Sequence, residues 1–175
     1  QNGAIYTTSK NLGLEKLNGK QLSYNNYADI FSALQISKSF PNNKGTVIVK
    51  HGNPCGASIH KNNNESFLMA HKCDPISSFG GIVSCNFKIN RSLALKLNKL
   101  FFEVIIGNGF ENDALSILKT KKNVRIINSK NYEVFSKNNL ISNMHFALAQ
   151  TPDDKKFTIS DFKIVSKARP SRKTF

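Results

Sequence analysis

Apolar positions along the chain fall into short blocks that switch between two periods. Val47-Ile48-Val49, Ile82-Val83, Val104-Ile105-Ile106 and Ile126-Ile127 are brief β-branched runs that read as buried strands. Between them the spacing turns helical. Tyr27, Ile30, Phe31 and Leu34 fall at helical intervals, with Asn26 as the expected N-cap and Asp29 following it. Glu65 to Lys72 reads as a short helix, Ser92 to Leu100 as another with Leu93, Leu97 and Leu100 on one face, and Asp113 to Lys119 as a further one. Ala4-Ile5-Tyr6 reads as a short first strand, Gly13 to Gly19 as a loop, and Asn42-Asn43-Lys44-Gly45 as a turn into the strand Thr46 to Lys50. From Ser129 onward the pattern weakens to loops and short strands, including Met144 to Ala149 and Phe162 to Ser166. Apolar strands alternating with helices predict an α/β fold with a mostly parallel sheet covered on both faces.

Length and composition narrow this little. The 175 residues, 39% hydrophobic, suit one ordinary domain with a real core. No uninterrupted apolar stretch approaches the roughly 20 residues of a membrane span. The opening residues do not read as a secretory leader. Three cysteines at no disulfide-framework spacing predict a reducing cytoplasm. The net charge of +14 invites a nucleic-acid reading. Against it, the basic residues are nearly all scattered lysines, Arg occurs only at 91, 125, 169 and 172, and no basic-aromatic interleaving is present. No specific nucleic-acid or membrane partner is expected; a positive field would instead help to steer anionic substrates.

Candidate chemistry concentrates in Val47-Ile48-Val49-Lys50-His51-Gly52-Asn53-Pro54-Cys55-Gly56. Neighbouring strand residues point to opposite faces, so Lys50 and His51 share one site only where the strand ends. Pro54, lacking an N–H, is expected to end it, and Gly52 and Gly56 to let backbone approach a ligand. Such a loop is expected at the carboxyl end of an α/β strand. Taken alone, the run reads equally well as a solvated turn. A second segment, Asp74-Pro75-Ile76-Ser77-Ser78-Phe79-Gly80-Gly81, has the same grammar. Its paired glycines predict tight backbone packing or N–H groups offered to an anion. Cys55 reads as a packing residue, because position 58 is Ser and no His-x-Glu partner exists. His60, His71, His145, Cys73 and Cys85 show no ligand-like spacing, so no metal is expected, and Gly107-Asn108-Gly109 lacks the rest of a dinucleotide fingerprint.

Lys-His-x-Asn-Pro-Cys-Gly followed by Asp-Pro-x-Ser-x-Phe-Gly-Gly resembles the transformylase part of the bifunctional purine-biosynthesis enzymes, in which an AICAR (aminoimidazole carboxamide ribotide) formyltransferase is fused to an IMP cyclohydrolase. Leu17-Asn18-Gly19-Lys20-Gln21-Leu22-Ser23-Tyr24-Asn25-Asn26, Phe102-Glu103-Val104-Ile105-Ile106, Lys121 to Arg125 and Phe162 to Pro170 are similar to further family segments in the same order. The resemblance covers essentially the whole chain.

It implies that residues 1–175 are the first of two cytidine-deaminase-like α/β/α subdomains. The cyclohydrolase domain, the "R-Y-G-x-N-P-H" signature and the second subdomain are expected outside these residues, so that the chain is a fragment of a longer product or does not turn over alone. It implies that the 5-amino group of AICAR attacks the formyl carbon of 10-formyltetrahydrofolate, the co-substrate. His51 matches the proton-transfer position and Lys50 the one that stabilises charge and helps to set the histidine's protonation state. Asn26 matches a nucleotide contact, Phe79 and Gly80 a loop lining the substrate and folate pocket, and Glu103 an acidic residue against AICAR; Asn53 is expected to orient the loop or the ligand. A homodimer is implied for the full-length protein. The alternatives are a non-catalytic remnant that binds ribotide or folate and, from another class, a basic nucleic-acid-binding module.

Overall fold

The β-branched runs form strands because their side chains are buried on both faces. The computed structural model describes residues 5, 12–133, 139–142, 145–151, 155, 157–169 and 171. In chain order the elements are β1 (Glu15–Asn18), α1 (Tyr24–Ser39), β2 (Gly45–Lys50), β3 (Asn53–Ile59), α2 (Asn63–Cys73), β4 (Ile82–Cys85), α3 (Arg91–Asn98), β5 (Val104–Gly107), α4 (Asn112–Lys119), β6 (Arg125–Asn128), β7 (Asn139–Ser142) and β8 (Ala147–Gln150). The chain separates into two compact units, Gln1–Val134 and Phe135–Phe175.

In the first unit six strands form one sheet in the order β1-β6-β5-β4-β2-β3. The core is parallel: β4 pairs with β5 (Ile82↔Val104) and β5 with β6 (Ile105↔Ile126). Around it the sheet is mixed, because β1 lies antiparallel on β6, β2 antiparallel on β4, and β3 antiparallel on β2 at the outer edge.

Alternation sorts the strand residues into two layers. Ile48, Val83, Cys85, Ile105 and Ile126 pack with Phe67 and Ala70 of α2, Leu93 and Leu97 of α3, and Ala114 and Leu118 of α4. Val47, Val49, Ile82, Val104, Ile106 and Ile127 pack on the opposite face against Ile30, Ala33 and Leu34 of α1. The result is a three-layer α/β fold, with each fully buried Val, Leu, Ile or Phe worth about 1.5–3 kcal/mol.

Three local expectations fail for identifiable reasons. The expected loop at 13–19 contains β1, since an edge strand needs only one buried side: Leu17 packs against the core, and Asn18 Nδ2 donates to the carbonyls of Val124 (2.9 Å) and Lys121 (3.3 Å). The N-cap of α1 is Ser23, not Asn26. The Ser23 hydroxyl accepts the Asn26 N–H (3.2 Å) while Asn26 Oδ1 accepts the Ser23 N–H (3.1 Å), a reciprocal capping box that places Asn26 inside the first turn.

In the second unit, the expected strand over Phe162 to Ser166 does not form. A short 3-10 turn, Ile159–Asp161, precedes it, with the Asp161 carboxylate accepting the Thr158 N–H (2.7 Å) and hydroxyl (2.9 Å). That unit otherwise holds the β7–β8 hairpin, in register Asn139↔Gln150 to Ser142↔Ala147. Ala4, Tyr6 and Met144 lie outside the described residues. Among the described residues no helix is long and apolar enough to cross a membrane.

Candidate functional site

Lys50 is the last residue of β2, and the chain then reverses within two residues, because Lys50 pairs with Asn53 of β3. His51 (φ 54°) and Gly52 (φ 77°) both adopt the left-handed backbone that a two-residue hairpin turn demands. What the sequence presents as a loop through Gly56 is therefore a tight turn and an edge strand. Pro54 does not end the sheet: β3 is its outermost strand, where a missing N–H is tolerated. A bulge between Ile48 and Val49 absorbs Cys55, whose thiol donates to the Ile48 carbonyl (3.5 Å). Gly52 has open space around it, whereas Gly56 faces α2, where a Cβ would lie 2.0 Å from the Ala70 carbonyl oxygen. Only the first of these glycines leaves room for a ligand.

Lys50 stands at the carboxyl end of its own strand, yet β2 runs antiparallel to β4. The motif therefore sits with the amino ends of the parallel strands β4, β5 and β6. There it meets the second motif. Lys50 Nζ donates to the carbonyl of Phe79 at 2.8 Å. Both paired glycine N–H groups are taken, Gly80 by the Phe101 carbonyl (2.9 Å) and Gly81 by the Ser78 carbonyl (3.0 Å). A Cβ on Gly81 would lie 3.0 Å from Val49 O, so Gly81 serves close packing, while Gly80 takes the left-handed backbone (φ 73°); with both N–H groups taken, the pair does not offer an anion site. Asp74 anchors the loop's start. Its carboxylate accepts the Ser77 hydroxyl (2.6 Å) and N–H (2.9 Å), which hold it below the usual carboxylate range. Phe79, 64% exposed, lies against Phe101 with ring centroids 5.1 Å apart, an apolar lip beside the lysine.

Glu103 lies just before β5, and its N–H donates to the Gly81 carbonyl (3.0 Å). Its Oε2 accepts Asn26 Nδ2 (3.0 Å) and lies 3.6 Å from Arg125 Nη1. Arg125 in turn donates through Nε (3.2 Å) and Nη2 (3.1 Å) to the Gln21 carbonyl. Asn26 is buried, while the Glu103 side chain stays half-exposed and able to take a further donor. Asn53 Nδ2 donates to the His51 carbonyl (3.2 Å), so Asn53 secures the turn.

All seven expected site residues thus lie at one end of the sheet: Lys50 bonded to Phe79, Asn53 to His51 and Asn26 to Glu103, with Gly80 following Phe79 in the chain. Three further residues were not singled out from the sequence for this role. The Asp29 carboxylate accepts the N–H groups of His51 and Gly52, Arg125 pairs with Glu103, and Phe101 completes the lip. Only Asp29 had a local signal, since it follows Asn26 at one-turn spacing on α1.

Cys55 is half-buried beside the α2-side core, and burial pushes its thiol up from the ordinary range. Cys85 is fully buried and pushed up to about 12. Among the described residues no group of three His, Cys, Asp or Glu side chains is arranged to hold a metal ion.

The family model described as "AICARFT/IMPCHase bienzyme" matches residues 1–175. The chain is 37% identical over 175 residues to the "Bifunctional purine biosynthesis protein PurH" of Clostridium perfringens (strain SM101 / Type A), covering 98% of this chain and 34% of that protein. The protein of the same name from Pediococcus pentosaceus is 39% identical over 159 residues, 90% of this chain and 31% of the relative. That from Aquifex aeolicus is 40% identical over 131 residues, 73% and 26% respectively. The chain spans about a third of the length of the curated relatives it matches.

Proposed function

The chain belongs to the AICARFT/IMPCHase bienzyme family, and from that premise we propose that it forms the first subdomain of an AICAR formyltransferase of purine biosynthesis. One observation carries the reading. An ammonium, Lys50, and an imidazole-bearing turn, His51-Gly52, emerge together at a solvent-open sheet edge beside an aromatic lip.

The 5-amino group of AICAR is a weak nucleophile, because its lone pair is delocalised into the imidazole carboxamide. It attacks the formyl carbon of 10-formyltetrahydrofolate to give a tetrahedral oxyanion. Lys50 supplies positive charge to that oxygen. His51 takes the amine proton and returns it to folate N10 as the carbon–N10 bond breaks, giving the formylated ribotide and tetrahydrofolate. Asn26 and Glu103 contact the ribotide, Phe79 and Gly80 line the substrate and folate pocket, and Asn53 orients the turn. The full-length protein is a homodimer in the cytoplasm, and the cyclohydrolase activity resides in its other part.

Replacing His51 by Ala in the full-length gene product tests the assignment. We expect kcat for formyl transfer to fall by roughly 10²–10⁴-fold, with cyclohydrolase turnover retained as a control for folding. Formyl transfer that survives the substitution unchanged would overturn the role of His51. Ribotide binding without turnover in the unmodified protein would instead favour a non-catalytic remnant.

A further inference from the structure

A residue with a Cβ rarely takes the left-handed backbone, and among the described residues only Asn43 and His51 do so without being glycine. At His51 something must over-determine that conformation. The partner comes from α1. The Asp29 carboxylate receives both N–H groups of the turn, Gly52 N–H on Oδ1 at 2.7 Å and His51 N–H on Oδ2 at 3.3 Å. These bonds are charge-assisted, and two consecutive left-handed residues direct their N–H groups into one anion-holding concavity. One turn further along α1, the Ser32 hydroxyl donates to the Gly52 carbonyl at 2.9 Å. One turn earlier, Asn26 holds Glu103. Positions 26, 29 and 32 share a helix face.

We infer that Asp29 is a positioning residue: its carboxylate holds the His51-Gly52 turn left-handed and so fixes the direction in which the imidazole leaves the turn that follows Lys50. Asp29 acts through His51 rather than on the reacting atoms. The inference rests on the formyl-transfer reading for its kinetic consequence, while the hydrogen-bonded turn stands independently of it.

The test uses the full-length protein carrying Asp29→Ala or Asp29→Asn, read by hydrogen exchange over the turn and by steady-state kinetics. Asp29→Ala should speed exchange at the His51 and Gly52 amides by roughly tenfold or more. It should lower kcat by about ten- to a hundredfold and leave KM for AICAR within about twofold, because ribotide contacts at Asn26 and Glu103 persist. Asp29→Asn, which keeps an Oδ1 acceptor for Gly52 and is nearly isosteric, should fall between Ala and the unmodified protein on both readouts. That graded order also answers the case in which the Ala variant fails to fold. Unchanged exchange in both variants would overturn the proposal, as would faster exchange with undiminished kcat. An unmodified protein without formyl transfer would overturn the parent reading and this kinetic role together, an outcome visible before any variant is made.

Discussion

The two edges of the central sheet are built from similar polar residues and close in opposite ways. At the amino edge of β4, β5 and β6, side chains fix loops and then stop short of sealing them: the Glu103 side chain is 46% exposed and Phe79 64%. At the carboxyl edge the polar groups finish on one another. Asn86, 5% exposed, accepts the N–H groups of Lys44 (3.0 Å) and Gly45 (2.8 Å) and donates to the carbonyls of Phe40 (3.3 Å) and Pro41 (3.0 Å). Lys38 Nζ reaches Asn108 Oδ1 (3.3 Å) and the Ser129 carbonyl (3.1 Å), and the Ser129 hydroxyl returns to Gly107 O (3.2 Å). Doubly wound sheets bind ligands at the carboxyl edge. Here β2, antiparallel to β4, delivers the Lys-His motif to the other end, while these polar groups at the usual ligand edge are satisfied within the chain.

If the edges divide function from stability, substitutions should separate them. Of the substitutions that contrast the two edges, Lys50→Ala is expected to act most strongly, lowering kcat by about 10²–10³-fold or roughly 2.7–4 kcal/mol of barrier, with little change in the unfolding midpoint. A midpoint that falls along with activity would make Lys50 a structural tie to Phe79 O and blur the contrast. Asn86→Ala should do the reverse. Leaving buried backbone groups unpaired costs about 1–3 kcal/mol, read as a lower thermal midpoint, while kcat per folded molecule is kept.

The smallest expected effect is in pH dependence, and there the two edges respond to opposite ends of the scale. The Asp74 pKa is lowered chiefly by the Ser77 hydroxyl. Its contribution is therefore present above the ordinary value of 3.8 and lost as pH falls through the lowered one. Protection factors over residues 74–79 should fall in acid, and Ser77→Ala should move that fall to higher pH. Lys38 is lowered from 10.5 by burial, so its site gains stability as pH climbs through that lowered value toward 10.5. Lys38→Met should abolish the gain. A protein whose two edges loosen together at one end of the scale would contradict the division.

Much of this was legible in the sequence because burial writes itself as pattern. Val47–Val49, Ile82–Val83 and Val104–Ile106 could only be strands covered on both faces, and Ile30 with Leu34 marked the buried side of α1. Lys50 and His51 become candidates through the family resemblance; the strand end lets neighbours share a site, but the run alone reads equally well as a solvated turn. The rest depended on partners distant in sequence. Glu15-Lys16-Leu17-Asn18 has no strand-like pattern and becomes β1 only against β6. Pro54 and Gly56 mimic loop residues, although one sits at a tolerant sheet edge and the other yields to the Ala70 carbonyl. Arg125 and Glu103 meet because β5 and β6 run parallel in register. The edge on which the motif stands follows from the direction of β2, which side-chain order alone does not encode.

The one-turn spacing of Asn26, Asp29 and Ser32 also sets where this chain tolerates a change of length. Each added residue turns a helix by about 100° and advances it by about 1.5 Å. A single insertion between Asn26 and Asp29 would keep Glu103 in reach of one partner while swinging the other two away from the His51 turn. The turn at Asn42 and Asn43 is exposed, but its two flanks are tied together through Asn86, which bonds Phe40 and Pro41 on one side and Lys44 and Gly45 on the other. The first turns of α1 therefore behave as a measured span, in which side chains one turn apart serve two separate partners.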